Sequence, residues 1–177
     1  IKNTPSYTGR YLDSIFDIVL NFLFLMSICY VSKTSIQLTL LAFIGIQLQA
    51  TLYNYYYVIL RNKSVGGDTT SKIFEYKSPK ALSGETQKAV DILFGIYSVV
   101  YGMFDKIIHF LDQDAYKVKT FPNWFMTLVS IYGLGFQLLL IAIMLPLNLI
   151  EYIVPFLIVY SLFIFVIIGI RKKVLIA

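Results

Sequence analysis

From Ser35 to Leu60 the chain carries no charged residue, and that run restricts the fold more than any other feature. At about 1.5 Å per helical residue it is long enough to cross a hydrocarbon core of roughly 30 Å. Asn123–Leu147 is likewise uncharged and about Leu149–Ile170 has Glu151 as its one charge, with Pro146 and Asn148 marking the turn between them. A fourth run, about Tyr11–Val31, reaches Ser35 through the short polar break Ser32-Lys33-Thr34, so the first two form an antiparallel hairpin. Composition agrees: 58% of residues are hydrophobic, 14% are charged, and the mean hydropathy is +0.72. Together these predict an all-α polytopic transmembrane helix bundle with four clear spans. The 177 residues make a single membrane domain, 1–177, with no room for a second globular one.

A fifth segment, about Thr86–Leu111, is of a different kind. Only Ile92–Phe104 runs without charge, and Val90, Leu93, Phe94, Tyr97, Tyr101, Phe104, Ile108 and Leu111 recur at helical spacing. That pattern predicts an amphipathic helix lying flat at the interface, with a fifth span as the alternative. The polar loop of about 61–90 holds six basic residues through Lys88 against Asp68, Glu75 and Glu85. By the positive-inside tendency it is cytoplasmic. A flat fifth segment then also puts the basic end Arg171-Lys172-Lys173 inside.

The net charge of +5 sits mainly in loops and ends, which suits anionic lipid headgroups. No basic stripe interleaved with aromatics lies on a soluble face, so nucleic acid is not an expected partner. Cys29 is the only cysteine and His109 the only histidine. That excludes a disulfide within the chain, a histidine-cluster zinc site and a catalytic triad.

The feature most suggestive of chemistry is Gly9, Asp13 and Asp17 in the order G-x-x-x-D-x-x-x-D, at the mouth of the first apolar run. Residues four apart share a helix face, so two carboxylates stand one turn apart. Acids so close to a membrane core are costly and commonly mark a site, and a divalent cation lets both stay ionised. The bland alternative is a solvated first helical turn, where acids suit the helix dipole.

This segment, IKNTPSYTGRYLDSIFD, resembles the second half of the signature of the CDP-alcohol phosphatidyltransferases, D-x-x-D-G-x-x-A-R, eight residues, then G-x-x-x-D-x-x-x-D. Ile1 to Thr8, with Asn3, Thr4 and Ser6, occupy the spacer, and Leu12-Asp13-Ser14 the centre. The resemblance implies Asp13 as a metal ligand, Asp17 as catalytic base and ligand, and Gly9 as the residue that lets backbone approach a phosphate or a neighbouring helix. It further implies Mg2+ or Mn2+ and transfer from a CDP-linked lipid or alcohol to a hydroxyl acceptor with release of CMP. The site would be cytoplasmic; family members are often homodimers. The first half of the signature would precede Ile1, so the chain reads as the C-terminal part of a longer protein, inactive alone. The alternative is a non-enzymatic polytopic protein, either a small-solute transporter or an assembly subunit.

Other groups carry weaker signals. Tyr53 to Tyr57 with Arg61 fit an interfacial aromatic belt, with an acceptor site as the alternative. Lys63, Lys72, Lys77 and Lys80 fit headgroup attraction or an anionic acceptor. Gly66-Gly67-Asp68-Thr69-Thr70 lacks the Lys-Ser/Thr ending of a phosphate loop. Asp91 and Asp105 suggest no pairing.

Overall fold

A computed structural model describes residues 5–64, 70, 72 and 75–174. The spacer residues Ile1 to Thr4 and the Gly66-Gly67-Asp68-Thr69 stretch lie outside the described residues. The protein is an all-helical bundle: α1 (Tyr7–Ser32), α2 (Ile36–Ser64), α3 (Gln87–Val100), α4 (Gly102–Leu111), α5 (Asn123–Ser130), α6 (Leu134–Met144) and α7 (Ile150–Val174). A 3-10 turn, Ala115–Lys117, follows α4. Three helices, α1, α2 and α7, are long and apolar enough to cross a membrane, and there are five such spans if each bent pair counts as one.

α1 starts where Ser6 caps it, its hydroxyl accepting from the Gly9 amide at 3.0 Å. It ends at Lys33, which takes the left-handed conformation that closes a helix. α2 returns antiparallel, and Phe22 meets Phe43 edge to face at 5.4 Å. α7 runs parallel to α2: Ser161 faces Gly45 and Gln49, and ten residues later Arg171 reaches the level of Tyr56. The N-terminus of α1 and the C-termini of α2 and α7 therefore share one end of the bundle, hereafter the polar end.

Two apolar clusters fill the interior. Leu25, Ile28, Ala42, Ile46, Ile141 and Ile153 pack toward the far end. Leu52, Tyr56, Ile59, Phe121, Phe125 and Ile164 pack toward the polar end. α2 and α7 approach closely because Gly45 has no side chain: a Cβ there would stand 2.1 Å from Ser161 Oγ. Small residues permit such contact between membrane helices.

The structure adds a break to the span expected over Asn123–Leu147. α5 and α6 meet at a 47° bend. Tyr132 N and Gly133 N turn back to Val129 and Ser130 carbonyls in tight 3-10 fashion, and the Ile131 carbonyl is taken by Tyr160 Oη at 2.9 Å. A Cβ at Gly133 would crowd the Ser130 carbonyl at 3.1 Å. The kink thus has its cause in a glycine and a hydroxyl from a neighbouring helix.

α3 and α4 bend by 53° at Tyr101. The pair begins with Val90 against Tyr7 and Tyr11, and it ends with Ile108 against Tyr55 and Tyr56. Both ends pack at the polar end, and the bent pair is long and apolar enough to count as one broken span or as a re-entrant segment. Just past α4, Asp112 is fully buried, with Arg171 Nε at 2.8 Å and Tyr56 Oη at 2.7 Å from its Oδ2. Arg171 is itself only 4% exposed. One of the three basic residues Arg171 to Lys173 is therefore turned inward to hold α2, α4 and α7 together.

Candidate functional site

The loop before α3 fixes the first turns of α1. Glu85 Oε1 accepts from the Thr8 amide at 2.6 Å and from Ser6 Oγ at 2.8 Å. Burial alone would raise this carboxyl; the bonds from Thr8 and Ser6 outweigh it and bring it down to about 2. Arg10 pairs with Glu75, which also accepts from Tyr11 Oη at 3.1 Å, and the Arg10 guanidinium lies 4.6 Å from the Tyr11 ring centre. Beyond these anchors α1 turns one polar face, Arg10, Asp13, Ser14, Asp17 and Asn21, to a cavity of about 380 Å³. Asp13 is exposed and Asp17 half-buried.

The opposite wall is α2, through Gln47, Tyr53, Asn54, Tyr57 and Arg61. The bend at Tyr101 supplies a third side, Tyr97, Tyr101 and Asp105, with Tyr97 Oη donating to Asp105 Oδ2 at 3.1 Å. Lys72 reaches in from the loop. A second cavity of about 330 Å³ adjoins the first and shares Lys72, Tyr97 and Asp105 with it.

Asp13 and Asp17 thus open on one cavity, as their spacing suggested. Gly9 does not line it. Among the described residues, a Cβ at Gly9 would meet only its own cap residue within 4 Å, Ser6 Oγ at 3.2 Å. Of the aromatic patch, Tyr53, Asn54, Tyr55, Tyr57 and Arg61 line the cavity, whereas Tyr56 is buried against Asp112. Lys63 is a structural tie, its amine donating to the Tyr116 carbonyl at 2.6 Å and to that of Val118. Lys77 and Lys80 line neither cavity. Asp91 accepts from Ser78 and Gln87 outside the site, and His109 lines the second cavity.

Sequence analysis missed Asn21, Gln47, Tyr97, Tyr101 and Asp105 as site residues. Two signals were present. Asn21 continues the four-residue spacing of Asp13 and Asp17, and Gln47, Asn54 and Arg61 recur every seventh residue along α2, on one helix face.

Among the described residues, no three of His, Cys, Asp and Glu gather as a metal ligand set. Two carboxylates on one face still match Mg2+, which commonly takes one or two protein carboxylates and fills its shell with water and substrate phosphate oxygens. Comparison with family models, with curated proteins and with solved structures gives no match.

Proposed function

We propose that the protein is a membrane-embedded phosphotransferase of the CDP-alcohol phosphatidyltransferase type. It would move a phosphoryl-linked group from a CDP-linked lipid or alcohol to a hydroxyl acceptor, with its site on the cytoplasmic side. The observation that carries this is the pair Asp13 and Asp17, on one face of α1, opening on the cavity opposite Asn54 and Arg61. Among the described residues neither carboxylate is in an ion pair, which leaves both for a ligand.

In this proposal Asp13 and Asp17 hold a divalent cation, Mg2+ or Mn2+. When bound, that cation supplies the charge that neutralises the diphosphate. Asp17, the deeper of the two, accepts the proton of the incoming hydroxyl. The alkoxide oxygen forms a new bond to phosphorus as the bond to CMP breaks, and CMP leaves with the electron pair. Arg61 stands at the mouth as a cation for the phosphates, and Asn54 is a neutral donor beside it. The protein's part is placement and electrostatics, because phosphoryl transfer asks for little covalent chemistry from side chains.

One observation favours a second possibility, a small-solute transporter. The bend between α5 and α6 stands next to the buried Gln137, which donates to Gln49 at 2.8 Å within the bundle. Broken helices and buried polar groups at mid-depth are common in transporters. A single experiment separates the two: CMP release from a CDP-linked lipid by the full-length protein in detergent micelles, with and without Mn2+. We expect metal-dependent release that falls by at least about a hundredfold in Asp17→Asn, the scale of a lost general base, and is likewise abolished in Asp13→Asn. Near-normal release in either variant would end the role given to that residue. No release from the parent protein, with solute flux in vesicles, would favour the transporter.

A further inference from the structure

The bent pair α3 and α4 is apolar on two sides, and only one of them has a partner within the protein. On that side Val90 packs with Tyr7 and Tyr11, the Tyr97 ring lies 5.0 Å from that of Tyr11, and Phe104 and Ile108 are buried. These are residues whose spacing predicts an interfacial helix, and they face protein. A second series, Ile92, Ile96, Val99, Met103, Ile107 and Phe110, advances by three or four residues at every step. All six are exposed, Val99 at 78% and Phe110 at 75%. The series continues through the 53° bend and runs for about 27 Å at 1.5 Å per residue.

The third side is polar. Ser98, Gly102, Lys106 and His109 line the second cavity, together with Lys72 and Tyr76 of the preceding loop. At 3.6 residues per turn the three series stand roughly 120° apart. Protein on one side, a polar loop and a lysine on the second, and bare apolar carbon on the third is how a helix is held along a membrane surface. Tyr11 marks the depth. It meets Phe94 at 5.7 Å and Tyr97 at 5.0 Å, and directly after it α1 begins its own exposed apolar surface at Leu12, Phe16 and Val19. Ile96 and Val99 therefore stand at the level where α1 enters hydrocarbon. A second copy of the chain is the less fitting cover, because protein interfaces are rich in aromatic residues and Arg within a polar rim. Of the six residues only Phe110 is aromatic. Lys106 flanks them, with a stem that can lie along the stripe while its amine reaches the headgroups.

We infer that the stripe from Ile92 to Phe110 is immersed in the hydrocarbon of the leaflet at the polar end, so that α3 and α4 lie along the membrane and do not cross it. Tyr97, Tyr101 and Asp105, the third side of the first cavity, are then carried by an element that the bilayer supports from outside. This assignment is independent of the chemistry proposed for Asp13 and Asp17, and stands or falls without it.

The test reads the surroundings of single nitroxide labels. In the full-length protein with Cys29→Ser, labels are attached to Ile96→Cys, Val99→Cys and Phe110→Cys on the stripe and to Ser98→Cys on the polar side. The protein is held in vesicles of phosphatidylcholine and phosphatidylglycerol. Relaxation of each label by oxygen, which gathers in hydrocarbon, is compared with relaxation by a water-soluble nickel chelate. The oxygen-to-nickel ratio should be severalfold higher at the three stripe positions than at Ser98→Cys, with Ile96 and Phe110 at similar shallow depth. A stripe label relaxed by the chelate as strongly as Ser98→Cys would place the stripe in water and overturn the inference. A steady rise in depth from Ile96 to Phe110 would show a crossing element and overturn it too. So would shielding from both reagents with dipolar broadening between labels, the signature of a second copy on this face. Val99 and Phe110 are exposed enough for a label to displace no packed side chain. Quenching of Val99→Trp by brominated lipid, in Trp124→Phe, reads the same depth without the cysteine change.

Discussion

Two groups of charge lie at the polar end of this bundle, and they are handled in opposite ways. Around Asp112 the charge is matched: the carboxylate is fully buried, Arg171 pairs with it, and Tyr56 donates to it. In the cavity, Asp13 and Asp17 stand side by side with no cationic partner among the described residues. A buried, fully paired charge fixes the position of the helices it joins. A pair of like charges left open to a cavity is unfavourable unless a ligand completes it. α2 carries both arrangements, since Tyr56 turns to Asp112 while Asn54 and Tyr57 turn to the cavity. The lock therefore sets the rotation of the helix that forms the cavity wall.

The sharpest way to break this contrast is to remove one member of the lock. Arg171→Met leaves Asp112 buried without its cation and should cost about 3–5 kcal/mol of stability. Replacing both, Arg171→Met with Asp112→Leu, should restore most of that loss. Thermal unfolding in detergent would measure both; a single variant as stable as the parent would show that the pair holds nothing together.

A smaller effect is expected at the seam that lets α2 and α7 meet. Gly45→Val puts a side chain where Ser161 Oγ already stands, 2.1 Å from the Cβ position. Overpacking of this kind costs about 1–3 kcal/mol, and Gly45→Val with Ser161→Gly should recover part of it. Melting temperatures of the two variants, compared in one detergent, test this. No loss in the single variant would mean the helices separate freely at this point.

The smallest effect concerns how the cavity's first wall is held. Glu85 has a native carboxyl at about 2, below the ordinary value of 4.5. Its contribution is therefore complete above about pH 4.5 and is lost as pH falls toward 2, because there the unfolded chain binds the proton first. Glu85→Gln should lower stability at neutral pH and flatten the acid limb, so that its curve converges with the parent's as pH falls toward 2. Unfolding followed from pH 6 to 2 would show it, and parallel curves for both proteins would remove Glu85 as an anchor of α1.

Much of the fold could be read from long apolar runs alone. α1, α2 and α7 appear where apolar length required them, and the helical spacing of Val90 to Leu111 appears as the bent pair α3 and α4. The bend at Ile131–Gly133 was hidden because the run around it is largely apolar, and the Tyr160 hydroxyl that donates to the freed carbonyl lies far along the chain. Arg171 was seen only as a charge near the end, since its partner is distant in sequence. Within the site, Asp13 and Asp17 were legible from spacing. Asn21 and the seven-residue series Gln47, Asn54, Arg61 were written in the sequence as well but stood out less among neutral or aromatic neighbours. Tyr97, Tyr101 and Asp105 join the cavity only through the bend at Tyr101, which periodicity does not reveal.

The most direct measurement is Mn2+ binding by the full-length protein in micelles, followed by the electron paramagnetic resonance signal of the free ion. The parent protein should bind Mn2+ at a site that tightens when a CDP-linked lipid is added. Asp13→Asn with Asp17→Asn should lose that site, while Asp112→Asn, if it folds, should keep it. Mn2+ binding unchanged by the loss of Asp13 and Asp17, or absent from the parent protein even with the CDP-linked lipid present, would contradict the assignment of these carboxylates to a metal.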